Sequence, residues 1–162
     1  MSTADEDVSL TPEEVRAVTE LAGRYEDKRA ASIEALKLVQ RRRRWVSNGR
    51  LGEVARLLDM TPDELDSVAT FYNLIFRRPV GRHVILLCDS VSCWILGQEE
   101  LLAHCARRLG LVPGATTPDG RFTLLPTVCL GHCDHAPALM IGDDLHGDVD
   151  PARLDALLEE YR

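Results

Sequence analysis

Two pairs of cysteines constrain this chain more than any other feature. Cys88 and Cys93 have C-x4-C spacing, Cys129 and Cys133 have C-x3-C spacing, and Cys129 comes 36 positions after Cys93. One apolar, strand-like run ends directly before Cys88, and a second ends shortly before Cys129. Four thiols that two loops deliver from the ends of two strands predict a metal site.

A [2Fe–2S] cluster is the interpretation that this spacing favours. Such a cluster takes four thiolates, two on each iron, and a short loop lets both cysteines of a pair reach the same iron. We therefore expect Cys88 and Cys93 on one iron, and Cys129 and Cys133 on the other. Zinc also accepts four cysteines, but its common loops are C-x2-C, and the chain contains none. A zinc-stabilised adaptor and unrelated structural cysteines stay open as alternatives.

The other cysteine and the nearby histidines receive simpler interpretations. Cys105 falls on the apolar stripe of a predicted helix, where a free cysteine behaves as a small hydrophobic residue. His132 and His135 flank Cys133 and are interpreted as polar neighbours of the site, because four cysteines already complete a ligand set. No glycine-rich nucleotide cradle and no nucleophile elbow occur, so the sequence predicts no catalytic residue of its own.

Charge and composition narrow the possible partners. The chain has 162 residues, 45% of them hydrophobic, and a formal net charge of −7, which argues against nucleic acid. Residues 1–79 hold 13 basic and 14 acidic side chains, whereas residues 80–162 hold 6 and 12. No run approaches the ~20 apolar residues of a membrane span, and the acidic start resembles no secretory signal. We therefore expect a cytoplasmic protein without direct membrane insertion, whose thiols are free or metal-bound.

The pattern of elements predicts three segments: a disordered tail at 1–10, a helical module at 11–73, and a domain with one sheet at 74–162. Thr11 with Glu14, and Thr61 with Glu64, each form a capping-box pattern followed by proline at the first helical position. The order strand, helix, strand, strand, helix in the third segment suits a thioredoxin-like arrangement of α+β or α/β class. Pro126 within its second strand predicts a sheet edge or a bend.

The four arginines at 41–44 allow two interpretations. They end a predicted helix, where positive charge complements the helix dipole. The same run is also a possible docking patch for an acidic partner surface.

Taken together, these motifs resemble the [2Fe–2S] subunit of respiratory complex I, which in bacteria is the E-type subunit of NADH–quinone oxidoreductase. The resemblance starts from Cys88-x4-Cys93, Cys129-Leu130-Gly131-x-Cys133 and the following Ala136-Pro137. It extends to further stretches at 29–36, 68–72, 79–84 and 119–126.

The resemblance implies a helical module followed by a thioredoxin-like ferredoxin domain. It implies that Cys88, Cys93, Cys129 and Cys133 occupy the four ligand positions of one [2Fe–2S] cluster. It also implies a tight pairing with a subunit that binds NADH and FMN, in the peripheral arm on the cytoplasmic face of the inner membrane. The cluster would then exchange one electron with that FMN. The equivalent subunit of a soluble NAD-linked hydrogenase or formate dehydrogenase is the alternative.

Two features depart from the family pattern. Arg44 stands where many relatives have glycine before the tryptophan at position 45. His132, Asp134 and His135 stand where many relatives have small residues. Neither departure removes a ligand, but charges next to a cluster shift its reduction potential.

Overall fold

The computed structural model describes residues 9–161 and divides the chain into two compact units, Met1–Pro79 and Val80–Arg162. Residues 1–8 of the predicted tail lie outside the described residues. Leu10, in contrast, is buried, and its N–H donates to Glu53 Oε2 at 2.8 Å, so it belongs to the first unit. The boundary lies later than residue 74, because Ile75 is buried in the core of the helical unit.

The first unit is helical, and its helices begin where their caps place them. Its elements are α1 (Pro12–Ala22), a 3₁₀ turn (Lys28–Ala31), α2 (Ser32–Arg43), α3 (Asn48–Leu57) and α4 (Pro62–Phe71). Both predicted capping boxes are present: the Thr11 hydroxyl accepts from the Glu14 N–H while the Glu14 carboxylate accepts from the Thr11 N–H, and Thr61 and Glu64 repeat the pattern. Each box satisfies two backbone donors that a helix start leaves unpaired.

A single apolar core holds these helices together. Its fully buried side chains are Val18, Ala31, Ala35, Leu36, Val39, Val46, Val54, Ala55, Leu58 and Leu65. They come from every helix of the unit, so none of the helices depends on its own propensity alone.

Glu14 is an ionisable group inside this unit. Its side chain is 1% exposed, and its carboxylate accepts from the Thr11 N–H at 2.8 Å and from Arg43 Nε at 3.0 Å. Burial acts to raise the pKa of Glu14, but the hydrogen bonds from Arg43 and Thr11 and the Arg43 charge outweigh burial and lower it. The ionised form therefore stabilises the folded unit.

Glu14→Gln should destabilise the protein at neutral pH by about 1–3 kcal/mol, because a charge-assisted hydrogen bond is lost inside the unit. The folded pKa lies below the unfolded value, so this stabilisation is complete above pH 4.5 and is lost as pH falls through the folded pKa. Denaturant unfolding at pH 7 and below pH 4 should show the gap from wild type narrowing in acid. The exposed neighbour Glu13, which meets Arg42 at 3.3 Å, supplies the control Glu13→Gln, which should change little.

The second unit is a four-stranded mixed sheet with helices. Its strands are β1 (His83–Cys88), β2 (Phe122–Thr127), β3 (Leu139–Ile141) and β4 (Asp144–His146). Its helices are α5 (Val91–Ile95), α6 (Gln98–Leu109) and α7 (Pro151–Glu160), with a 3₁₀ turn at Cys133–His135. The strand order is β2-β1-β3-β4; β2 runs parallel to β1, while β3 is antiparallel to both β1 and β4. The edge predicted from Pro126 is confirmed, because β2 is the outer strand.

Side chains from the sheet and from α6 and α7 form the core of this unit. Ile85, Leu87, Leu124, Leu139, Ile141 and Leu154 are fully buried in it. Cys105 of α6 is buried in the same core, as predicted, and burial followed by the Asp155 charge raises the pKa of its thiol to about 12. Cys105 is therefore a core residue, in a different buried cluster from Cys88 and Cys93. Within residues 9–161, no helix is both long and apolar enough to cross a membrane.

Gly81 sits where β1 approaches β2 too closely for a side chain. A Cβ there would lie 2.9 Å from Arg121 O and from the Phe122 carbonyl carbon, both backbone atoms. The Gly81 N–H also donates to Thr123 Oγ1 at 2.6 Å. The start of β1 is thus held against the start of β2.

Gly81→Ala should destabilise the second unit by about 1–3 kcal/mol, because backbone must shift to admit the methyl group. Gly52 in α3 is the matched control, since a Cβ there meets nothing within 4 Å. Gly52→Ala should be neutral or stabilising by up to about 1 kcal/mol, from higher helix propensity. Thermal unfolding of both variants checks the contrast, and equal midpoints would contradict it.

Candidate metal centre

The sheet register brings both cysteine loops to one edge. Cys88 is the last residue of β1 and pairs with Thr127, the last residue of the parallel strand β2. The next residue, Asp89, donates its N–H to Thr127 O at 2.9 Å, and the Cys88 N–H donates to Ala138 O at 3.1 Å. The two loops therefore start side by side, and the chain enters β3 beside them.

The first pair is buried. Cys88 and Cys93 are each 2% exposed and cluster with Ala138. Cys93 lies in α5, one turn after Ser90 begins the helix. Burial raises the pKa of the Cys93 thiol to about 11; the Ala138 N–H opposes this, while the hydrogen bond with Cys88 and the charges of Cys88 and Cys133 add to it. A thiolate at Cys93 thus requires a compensating positive charge, which a metal supplies.

The second pair is exposed. Cys129 and Cys133 lie on the loop after β2, with their Sγ atoms 3.3 Å apart. The Gly131 N–H donates to Cys129 Sγ at 3.3 Å and, with the Cys133 thiol, lowers the pKa of Cys129. Gly131 has φ +78, which places its N–H inside the loop and favours glycine. The hydrogen bond and charge of Cys129 raise the pKa of Cys133, whereas a hydrogen bond from Ser92 lowers it.

The two loops meet at the thiols. Ser92 in α5 lowers the pKa of the Cys133 thiol, and the charge of Cys88 raises it, so groups from both loops act on one thiol. Within residues 9–161, no three His, Cys, Asp or Glu side chains are arranged to hold a single metal ion. The four thiols form instead two adjacent pairs, each with its sulfur atoms within hydrogen-bonding reach. This donor set, two thiolates for each of two irons, fits a [2Fe–2S] cluster.

His132 and His135 stack on each other beside Cys133, with their ring centroids 4.7 Å apart. His135 Nδ1 lies 2.7 Å from Asp148 Oδ2, and this hydrogen bond is the main cause of the raised pKa of His135. The Asp148 N–H also donates to His135 O at 2.6 Å. Gly147 leaves no room for a side chain, because a Cβ would lie 2.5 Å from His135 Cβ. The turn after β4 thus packs against the loop that carries Cys133 and holds it in position.

Sequence reasoning missed three contributors to this site. Ala138 contacts the buried pair through both its backbone groups, and Gly147 and Asp148 hold the second loop from 14 or 15 residues beyond Cys133. No spacing motif marks them, since a backbone amide or a missing side chain carries no chemical signature. An isolated glycine after a short strand was the available signal.

Comparisons with known proteins agree on one family. Residues 18–162 match the sequence model described as "Thioredoxin-like [2Fe-2S] ferredoxin". The E-type subunit of the NADH-quinone oxidoreductase of Pseudomonas aeruginosa is 55% identical over 85% of this chain and 82% of its own length. Its counterpart in Escherichia coli is 49% identical over 94% of this chain and 92% of its own length.

A solved structure supports the same likeness. The chain superposes on a chain of an NAD⁺-reducing [NiFe]-hydrogenase with a TM-score of 0.70 and 30% identity. The match covers 81% of this chain but 22% of the hydrogenase chain.

Proposed function

The chain belongs to the thioredoxin-like [2Fe–2S] ferredoxin family and, within it, to the E-type subunits of NADH–quinone oxidoreductase, and we propose that Cys88, Cys93, Cys129 and Cys133 hold its one cluster. The observation that supports this assignment is the strand register, which starts both cysteine loops at one sheet edge, together with the 3.3 Å separation of Cys129 Sγ and Cys133 Sγ. The cluster supplies one-electron chemistry and no bond-making step. The chain therefore acts as an electron-transfer subunit of an oxidoreductase, not as a catalyst alone.

The protein's own groups set the surroundings of the sulfur atoms. The Gly131 and Ala138 N–H groups and the Ser92 hydroxyl donate to Cys129, Cys93 and Cys133 respectively. Hydrogen bonds to ligand sulfur stabilise added negative charge and so favour the reduced state. The net negative charge of residues 80–162 opposes reduction, so the reduction potential reflects the balance of these two effects.

Spectroscopy of the anaerobically purified chain tests the assignment. We expect a red-brown protein with about two irons per chain that bleaches with dithionite and then gives a rhombic low-temperature EPR signal. A colourless protein with about one zinc per chain would contradict it and support a structural zinc site. If the purified chain contains no metal, anaerobic reconstitution with iron and sulfide decides between the same outcomes.

Exposed apolar side chains beside the thiols supply the partner-facing surface. In α5, which carries Cys93, Trp94 is 56% exposed and Ile95 is 69% exposed. Val128, next to Cys129, is exposed as well. We propose that the subunit carrying FMN and NADH docks on this face, because covering it would exclude water from the exposed thiol pair and shorten the path to the flavin.

Trp94→Ala should weaken binding of the flavin subunit about 30-fold, since a tryptophan at an interface centre is worth about 2 kcal/mol. Trp94 Nε1 donates to Glu99 Oε1 at 3.2 Å, so the ring is already held in place before binding. Val112, which is also exposed but lies after α6, supplies the control Val112→Ala. Calorimetric titration with the flavin subunit measures both variants, and unchanged affinity for Trp94→Ala would place the docking face elsewhere.

The host complex decides between two assignments. An NAD-linked hydrogenase module is the second candidate, favoured by the superposition on the hydrogenase chain. The NADH–quinone oxidoreductase assignment is favoured over it by higher identity across nearly the whole length of those relatives. We infer a place in the peripheral arm on the cytoplasmic face of the inner membrane. The test is to purify the tagged chain with its complex and to assay two activities. NADH oxidation coupled to quinone reduction supports the first assignment, and NAD⁺ reduction by hydrogen supports the second.

A further inference from the structure

The helical unit carries a second exposed surface that electron transfer does not use. Three apolar side chains within four residues are exposed at and after the end of α4: Phe71, Tyr72 and Leu74. Phe71 is 80% exposed, and its ring meets Tyr72 edge to face with centroids 5.2 Å apart. These side chains contribute little to the unit's own core. Exposing apolar area to water is unfavourable, and a cluster of exposed apolar side chains is typical of an interaction site.

Arginines border this apolar surface because the segment after α4 lies against the end of α2. Gln40 of α2 donates from Nε2 to Leu74 O at 2.8 Å and accepts from the Phe76 N–H at 2.6 Å. Arg41 follows Gln40 in α2, and Arg44 is the C-cap residue at which the helix ends, with its N–H donating to Gln40 O. Arg78 continues the segment itself.

These three arginines are not neutralised within the unit. Arg42 and Arg43 of the same run pair with Glu13 and Glu14 of α1. Arg77 is also paired, with Asp66 at 2.7 Å. In contrast, Arg41, Arg44 and Arg78 are exposed, and among residues 9–161 no carboxylate pairs with them. The surface therefore combines an apolar centre with an uncompensated positive border.

We propose that this surface, made of Phe71, Tyr72, Leu74, Arg41, Arg44 and Arg78, docks an acidic protein segment of another subunit. The partner would place an apolar side chain on the aromatic pair and carboxylates on the three guanidinium groups. Aromatic residues and arginine are the types enriched in protein interfaces. The proposal rests on the proposed function, because it assigns the partner to the same oxidoreductase.

Rebinding of the full chain to the purified oxidoreductase subcomplex that lacks it tests the surface. We expect the neutralised variant R41Q/R44Q/R78Q to bind at least about tenfold more weakly at low salt and to lose most of the salt dependence of the wild type. Phe71→Ser should weaken binding at every salt concentration. The matched control R16Q/R24Q/R56Q removes three exposed charges elsewhere on the unit and should bind as the wild type does. EPR of each variant reports whether the cluster is intact.

The outcomes separate this inference from the proposed function. Wild-type affinity in R41Q/R44Q/R78Q and Phe71→Ser would overturn the surface and leave the electron carrier untouched. Failure of the wild-type chain to rebind would contradict both. Loss of binding to phosphatidylglycerol vesicles, with subunit binding intact, would assign the surface to lipid and overturn the protein partner. A wild-type dimer that the three substitutions abolish would assign it to a second copy instead.

Discussion

Replacing Cys129 with serine should strip or badly perturb the cluster. A serine oxygen is a harder and less acidic ligand than thiolate sulfur, which iron–sulfur clusters require. The Gly131 N–H that faces Cys129 is a hydrogen-bond donor, so it cannot replace the lost sulfur as an iron ligand. Iron content should fall from about two per chain toward zero, or the surviving cluster should show a shifted spectrum. Iron analysis and EPR of the anaerobically purified variant measure this.

The fifth cysteine supplies the control. Cys105 is fully buried in the core of the second unit and has no thiol neighbour among the four proposed ligands. Cys105→Ala should keep full iron content and an unchanged spectrum while losing about 1 kcal/mol of stability from the small cavity. Wild-type iron and spectrum in Cys129→Ser, or loss of iron in Cys105→Ala, would refute the ligand assignment.

Among the substitutions proposed for this chain, Leu124→Ala should produce the largest loss of stability, about 2–5 kcal/mol, because of the cavity that it leaves. Leu124 is fully buried in the middle of β2 and pairs with Ile85 of β1, which is also fully buried. The midpoint of thermal unfolding should fall by about 10 °C or more in a unit of this size. Because β2 carries the loop to Cys129, the variant should also release iron faster to a chelator.

An exposed leucine on the same sheet supplies the control, because it has the same side chain as Leu124 but a different burial. Leu145 lies in the outer strand β4 and is 43% exposed. Leu145→Ala removes the same atoms but should cost less than about 1 kcal/mol. Similar losses in both variants would contradict the assignment of the stability loss to the burial of Leu124.

Much of the architecture follows from local signals in the sequence. The starts of α1 and α4 were predicted from Thr11 and Thr61, because a capping box involves residues only three apart. The outer position of β2 followed from Pro126, which removes a ladder donor. The fold class and the thioredoxin-like [2Fe–2S] ferredoxin family were predicted as well, because the cysteine spacing and several other stretches resemble that family. The interpretation of Cys105 as a core residue is also confirmed, because the apolar stripe of a helix can be read from residues three or four positions apart.

Other predictions needed contacts that no local signal encodes. The sequence placed the boundary between segments at residue 74, whereas Ile75 packs into the helical core and moves it after Pro79. The run at 41–44 was treated as one feature, but two of its arginines pair with Glu13 and Glu14 and two do not. Each case depends on contacts with residues about 30 positions away in the sequence.

The sequence by itself determined the chemistry: four thiols, two loops and the strands before them. Only the tertiary structure decided how these parts meet. The parallel register of Cys88 with Thr127 sets both loops at one edge, Ser92 reaches Cys133, and Gly147 lets the turn after β4 close on His135. The same packing buries Cys88 and Cys93 while leaving Cys129 exposed. Residue types record which bonds a chain can make, but strand register and burial arise from the sum of many non-local contacts.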